Sequence, residues 1–199
     1  MRKYIYLCQI VFWFGSCQPD IVDREEEQQT STAFSYERVE YVFDENTYMK
    51  RTIKEYPEIV IENNTSVEQT YIDNPGDYFK ESSNFWSANV CAFSYIDSLL
   101  FVKTPIDVVG DRFVYDDGTK WLYSEKEQKK KPLIESSKIL QIQPGHKLII
   151  YPSVTFKEIF TSYKVHLKGV EHGEELVVRG DWSGVIFLDY NADYVDIPL

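Results

Sequence analysis

Basic residues, cysteine and histidine are scarce in this chain. Lys and Arg number 21 against 32 Asp and Glu, a formal charge of −11. A nucleic-acid binder needs a basic footprint, so that class is excluded. Three cysteines are too few for a disulfide framework. The three histidines stand in no HExxH pattern, and neither GxSxG nor paired CxxC occurs. No apolar run reaches the roughly 18 residues of a membrane-spanning helix. Amphipathic helices are missing too, since no long window carries a clean helical period. What is plentiful is aromatic: 15 Tyr, 12 Phe and 4 Trp, far too many for a disordered chain. At 199 residues the chain makes one domain, or one domain and a tail, and is large enough to bury a core.

The N-terminus reads as an export signal. Arg2 and Lys3 are a short positive start, and residues 4–14 (YIYLCQIVFWF) are apolar but for Gln9. That run is too short for a permanent membrane span. Gly15-Ser16-Cys17 resembles a bacterial lipoprotein processing site, with Phe14 in place of the usual Leu, as in lipoproteins of Bacteroidetes type. The resemblance implies cleavage before Cys17 and lipid on that residue; a plain secretory signal is the alternative. Each buried acyl methylene contributes about 0.8 kcal/mol, and two or more chains anchor stably. Losing Arg2 and Lys3 leaves 19 basic side chains against 32 acidic ones, a net −13. Cys91 is then expected to be a lone, buried, small apolar residue with no intramolecular partner. Residues 17–33 hold the lipidated Cys and a polar, acidic tether. Asp20, Asp23, Glu25, Glu26 and Glu27 resemble a surface-export signal of Bacteroides-type lipoproteins, or are simply part of a spacer.

From residue 34 the period is two, the signature of strands. Val39, Tyr41 and Phe43 alternate with Arg38, Glu40 and Val42; Ile59 and Ile61 alternate with Glu58 and Glu62. The longest example is 156–168, where Tyr163, Val165 and Leu167 take one face and Lys164, His166 and Lys168 the other. Residues 34–199 are therefore expected to form a single all-β domain, an elongated and mostly antiparallel sheet or sandwich. Asp117-Gly118, between 112–115 and 119–123, is the strongest hairpin signal. Asn74-Pro75-Gly76, Gln143-Pro144-Gly145 and His172-Gly173 mark further turns. Residues 99–102 (LLFV) read as a buried strand, and 125–132 (EKEQKKKP) as an exposed loop or strand end.

Catalytic and metal sites are not expected. His146 follows a Pro-Gly turn and His166 alternates with lysines, so both are expected to face solvent. A His166/His172 metal pair would need a hairpin to join them, and no Cys or well-spaced carboxylate stands nearby. Asp111, Asp116 and Asp117 lack calcium-loop spacing and read as turn residues. Asn63-Asn64-Thr65-Ser66 holds two overlapping glycosylation patterns but reads better as a strand-edge turn. No enzyme activity and no cofactor are expected.

Three stretches, in order, resemble the aerolysin-like epsilon-toxin/mosquitocidal-toxin family of β-pore-forming proteins. They are 58–72 (EIVIENNTSVEQTYI), 135–151 (ESSKILQIQPGHKLIIY) and 178–188 (VRGDWSGVIFL), within about residues 56–198. The resemblance implies an elongated antiparallel sheet of aerolysin-like type and an amphipathic hairpin that inserts after several chains assemble. Lipid demands that every backbone group be bonded, which only a closed barrel of strands achieves. By position the inserting or gating segment lies between residues 78 and 110. One phase there reads Ser87, Asn89, Cys91, Phe93, Tyr95; the other, mostly apolar, reads Ala88, Val90, Ala92, Ser94, Ile96.

The aromatics support a second reading. Tyr and Trp in sheets mostly pack across strands, yet Phe85, Trp86, Trp121 and Trp182 are also candidates for a sugar-stacking platform. Phe85 and Trp86 are adjacent on a strand and point to opposite faces, so one of them is exposed or covered by a loop. The expected function is a protein exported and lipid-anchored at a bacterial outer membrane or cell surface, oligomerising and pore-forming at a target membrane. The alternative is a non-lytic surface module that binds a glycan or protein receptor.

Overall fold

A computed structural model describes residues 33–89, 91–96, 98–132 and 137–199. The first strands are β1 (Phe34–Val42), β2 (Tyr48–Glu55), β3 (Ile59–Glu62), β4 (Gln69–Asp73) and β5 (Glu81–Trp86). Five three-residue strands follow: β6 (Phe101–Lys103), β7 (Asp107–Val109), β8 (Arg112–Val114), β9 (Lys120–Leu122) and β10 (Gln128–Lys130). Then come β11 (Lys138–Ile142) and the two 24-residue strands β12 (His146–Gly169) and β13 (Glu175–Pro198). The fold is all-β, and every paired ladder among the described residues is antiparallel.

The β12–β13 hairpin is the spine. It stays in register from Lys168↔Glu175 to His146↔Pro198 with one bulge at Thr155/Phe156. At about 3.3 Å per residue it extends about 80 Å. β1, β2 and β3 lie end to end along one edge of β12. On the far side β13 carries β5, which in turn carries β10. Among the described residues β4 and β11 pair only with each other.

The long alternation in β12 appears as expected: Tyr163, Val165 and Leu167 are buried. They anchor a core at the hairpin-turn end with Phe85, Trp121, Tyr123, Val178 and Trp182. A second, smaller core lies at the open end. There Ile142 and Leu140 of β11 and Tyr71 of β4 pack on Leu148 and Ile150 of β12. Two cores along one hairpin explain how so long a ribbon holds its shape, since a bare two-stranded hairpin is marginal in water.

Two local expectations are corrected. The Asp117-Gly118 turn does not join a hairpin, because β8 pairs with β7 and β9 with β6. Asp116 is the reason: its Oδ1 accepts from the Gly118 and Thr119 N–H groups at 2.6 and 2.7 Å, closing a local turn that redirects the chain. The two-residue hairpin loop is instead Gly110-Asp111, with Gly110 at φ +60°, which suits a primed turn. The 99–102 stretch is not a buried strand: Val102 is buried, but Leu99 and Phe101 are 78% and 59% exposed. The 125–132 stretch is partly a strand end, since β10 adds to β5.

Candidate functional site

β5 sets the first site by simple alternation. Phe85 points inward and is fully buried; Trp86 points outward and is 44% exposed. The register places Trp86 beside Asp181 of β13, and Asp181 beside Ser162 of β12. The next row pairs Lys164 with Arg179. These side chains, with Asp44 and Ala88, line an open groove of about 490 Å³. Trp86 is backed by Phe160 at 6.5 Å, and Phe160 stacks on Tyr48 at 5.5 Å and 7°. The three rings form a ledge beside the groove. Gly180 permits the close packing underneath: a Cβ there would sit 2.7 Å from the Tyr163 hydroxyl and run into the Trp86 carbonyl.

Of the four aromatic candidates, only Trp86 is available to a ligand. Phe85, Trp121 and Trp182 are 0%, 6% and 0% exposed and belong to the core. The correction has a plain cause: in a four-aromatic region with one buried face, most large rings are claimed by that face.

The residues expected to insert do not form strands in this structure. Ser87, Ala88, Ala92, Phe93, Ser94 and Ile96 lie in a turned loop between β5 and β6, and Val90 is outside the described residues. Local bonds hold the turns: Ser87 Oγ accepts from Asn89 N at 3.1 Å, Asn89 Oδ1 from Cys91 N, and Cys91 O from Ser94 N and Oγ, each at 2.9 Å. Short polar side chains offer the backbone this alternative to a ladder. Ala92 is fully buried and Phe93 packs on Tyr123 with ring centroids 4.8 Å apart. Cys91 is buried, as expected, but it is disulfide-bonded and not a lone thiol; its partner lies outside the described residues. Cys17 and the tether are outside them as well.

Of the histidines, His166 is placed differently from expectation. His166 is 8% exposed, with Nδ1 2.7 Å from Glu175 and Nε2 3.3 Å from Glu40. Its strand is central, so the Glu40 and Glu175 side chains of β1 and β13 flank the ring and bury it, while Lys168 on the same face stays exposed. His146 opens β12 half-exposed, 3.1 Å from Asp196. His172 remains 40% exposed at the hairpin turn. Among the described residues no group of three or more His, Cys, Asp or Glu is arranged to hold a metal.

A second constellation escaped the sequence reading. Asp73 ends β4 and is fully buried. Its carboxylate accepts from three tyrosine hydroxyls: Tyr78 at 2.7 Å, Tyr190 at 2.6 Å and Tyr194 at 2.6 Å. Tyr190 and Tyr194 sit on β13, so Asp73 ties the separate β4–β11 pair to the spine. Asn74 Oδ1 accepts from Gly76 N at 3.0 Å and turns the chain so that Tyr78 comes back to Asp73. Lys138 of β11 lies 3.7 Å over the Tyr194 ring. An acid directly before an Asn-Pro-Gly turn was visible in the sequence, but nothing local shows that it is buried or that residues 117 and 121 positions later reach it.

No family model and no curated protein matches the chain. Its strand course is similar to that of several solved structures, among them the following three. The lamprey immune protein matches with TM-score 0.44 and 17% identity over 84% of this chain and 54% of that one. An aerolysin-like protein of Bombina maxima matches with TM-score 0.36 and 13% identity over 81% and 97%. The parasporin-2 toxin of Bacillus thuringiensis matches with TM-score 0.37 and 11% identity over 82% and 74%. The chain spans about half the length of the lamprey protein.

The tyrosines around both cores give a pH signature. Burial, then hydrogen bonding to Asp73, raises Tyr78, Tyr190 and Tyr194 well above the ordinary tyrosine value. Burial likewise raises Tyr41 and Tyr163, and pushes Tyr123 up to about 12. Unfolded tyrosines ionise near pH 10. The stabilisation is therefore complete below about pH 10 and falls as pH rises toward 12 and beyond, where only the unfolded chain has lost these protons. The urea midpoint should hold to about pH 10 and then drop. Tyrosinate absorbance should rise in two steps, the second together with unfolding. One step at the ordinary value, with the fold intact, would contradict this packing.

Proposed function

We propose that the chain is an exported β-protein, lipid-anchored through Cys17 at a bacterial outer membrane or cell surface, that oligomerises on a target membrane and opens a β-lined pore. One observation carries the membrane step. Among the described residues the excursion 74–137, between β4 and β11, has one short ladder to the spine, Asp181↔Trp86 to Val185↔Ser82, and otherwise holds to it by side-chain contacts, among them Phe85, Trp121 and Tyr123 in the core and the Asp107–Lys157 ion pair. On this reading that ladder and the core contacts of Phe85, Trp121 and Tyr123 come apart, while β12 and β13 keep the ladder between them. Ser87, Ala88, Val90, Ala92, Phe93, Ser94 and Ile96 then become the inserting strand; the described members sit in turns held by the local bonds above, and insertion exchanges the core contacts of Ala92 and Phe93 for lipid. A membrane strand needs about 9–11 extended residues, and all edges must close.

The ladder gives the test. Asn84 and Ser183 are register partners, and antiparallel partners stand about 4.5–5.5 Å apart at Cα, within disulfide range. The double variant Asn84→Cys/Ser183→Cys should release no dye from vesicles when oxidised and recover leakage and detergent-resistant oligomers when reduced. Equal leakage in the oxidised form removes this mechanism. Silence of the unmodified chain on every lipid mixture removes the pore itself.

The Cys91 disulfide constrains this reading, because cleavage before Cys17 removes Cys8 and lipid occupies the Cys17 sulfur, which leaves neither of the other two cysteines to pair with Cys91 within the processed chain. It also sharpens the anchor question. A Cys17 sulfur bonded to Cys91 cannot carry lipid, so mass analysis of the unreduced Cys17 peptide from membranes separates the two. Acylated Cys17 supports the anchor; a Cys17–Cys91 cystine overturns it.

A second reading, ligand capture without membrane damage, is favoured by the exposed Trp86 ring beside its groove.

A further inference from the structure

We propose that the groove at Trp86 binds an acidic saccharide, its ring on the aromatic ledge and its carboxylate or sulfate on Lys164 and Arg179. The inference narrows the capture reading above to a ligand class. Its basis is which polar groups around the groove are already used. Asp44 accepts from Asn46 N at 2.9 Å and from Thr47 Oγ1 at 3.3 Å. Asp181 accepts from Ser162 Oγ at 3.1 Å. Glu40, the register neighbour of Lys164 on β1, is held by Arg38 at 2.8 Å and lies 3.3 Å from His166. Each of these carboxylates thus already accepts from a donor of the protein.

Lys164 and Arg179 are register partners on adjacent strands. Among the described residues neither has a carboxylate within ion-pair distance, although acidic side chains outnumber basic ones 32 to 21. Two unpaired cations side by side repel each other and gain most from a bound anion. A guanidinium adds a planar fork that matches a carboxylate or sulfate.

The ledge decides the rest of the ligand. An inorganic anion has no use for a Trp86 face that is 44% exposed, with Phe160 and Tyr48 continuing the aromatic surface. A pyranose presents an apolar face of C–H groups to such a ring and hydroxyls to its rim. Asp181 and Ser162 are at hand for those hydroxyls. The groove, at about 490 Å³, has room for a disaccharide.

The test is a fluorescence and calorimetric titration of the full chain with four probes: a glucuronate-containing disaccharide, its sulfated form, lactose and inorganic phosphate. Both acidic disaccharides should bind saturably and shift the Trp emission, with lactose at least about tenfold weaker. Arg179→Gln and Lys164→Gln should each weaken binding about tenfold, and Trp86→Ala should abolish the emission shift. Lys126→Gln, an exposed lysine away from the groove, should change nothing. Four results overturn the proposal: no saturable binding of either acidic disaccharide, equal binding of lactose, equal competition by phosphate, or indifference to Arg179→Gln. Equal lactose binding leaves the capture reading standing and removes only the acidic ligand.

Discussion

Asp73→Ala should lower the free energy of unfolding by about 3–5 kcal/mol. The carboxylate is fully buried and serves three hydroxyls at 2.6–2.7 Å. Hydrogen bonds to a charged group are each worth about 1.5–3 kcal/mol, and a buried donor left without a partner costs about 1–3. Part of that is recovered, because Tyr190 and Tyr194 border an open groove and can turn to water. Asp73→Asn keeps one good acceptor and should cost roughly half as much. The loss should also be local before it is global. Hydrogen exchange should rise first in β4 and β11, whose ladder is with each other and not with the spine among the described residues, while β12 keeps its protection. If the membrane mechanism holds, the same variant should leak vesicles faster, because the excursion is released more easily. A change below about 1 kcal/mol in a urea titration would mean that the tyrosines, not the acid, hold the β4–β11 pair in place.

Trp182→Ala should cost about 3–5 kcal/mol. The indole is fully buried, edge-on to Tyr41 at 5.5 Å and tilted against Phe85 at 6.4 Å. Its Nε1 donates to Ser83 Oγ at 2.9 Å, and Ser83 is itself fully buried. Removal leaves a cavity and an orphaned hydroxyl in one step. Because Trp182 and Phe85 are register partners in the β5–β13 ladder, the damage should weaken the joint between the excursion and the spine. Trp182→Phe should lose less, since the ring edge survives. Trp86→Ala is the contrasting case: one residue past Phe85 on the same strand, it should stay within about 0.5 kcal/mol. Chemical denaturation of the three variants orders them. A Trp86→Ala as costly as Trp182→Ala would mean that Trp86 is structural and no ligand ledge.

Much of the fold was legible along the chain. Alternation in 35–43, 58–63 and 156–168 marked β1, β3 and the upper half of β12 correctly, because a side chain's face in a strand follows from its own position. The opposition of Phe85 and Trp86 was legible for the same reason. The hairpin signal at Asp117-Gly118 misled, since Asp116 spends its carboxylate on the turn and β8 and β9 find other partners. His166 misled because a polar face on a central strand need not meet water. The 87–100 alternation was real as a pattern, but Ser87, Asn89 and Ser94 turn the backbone where a ladder was expected.

The sequence by itself determined the class: all-β, antiparallel, elongated, with apolar faces set by period two. It also presented the signal-like start and the acidic tether, which are matters of composition. Tertiary structure alone decided which aromatics are core and which one is exposed, because that depends on which face of each strand another layer covers. It alone brought Asp73 to Tyr190 and Tyr194, and Lys164 to Arg179, because these meetings are set by strand register across the β12–β13 hairpin. Register is a property of paired strands, and no single strand carries it.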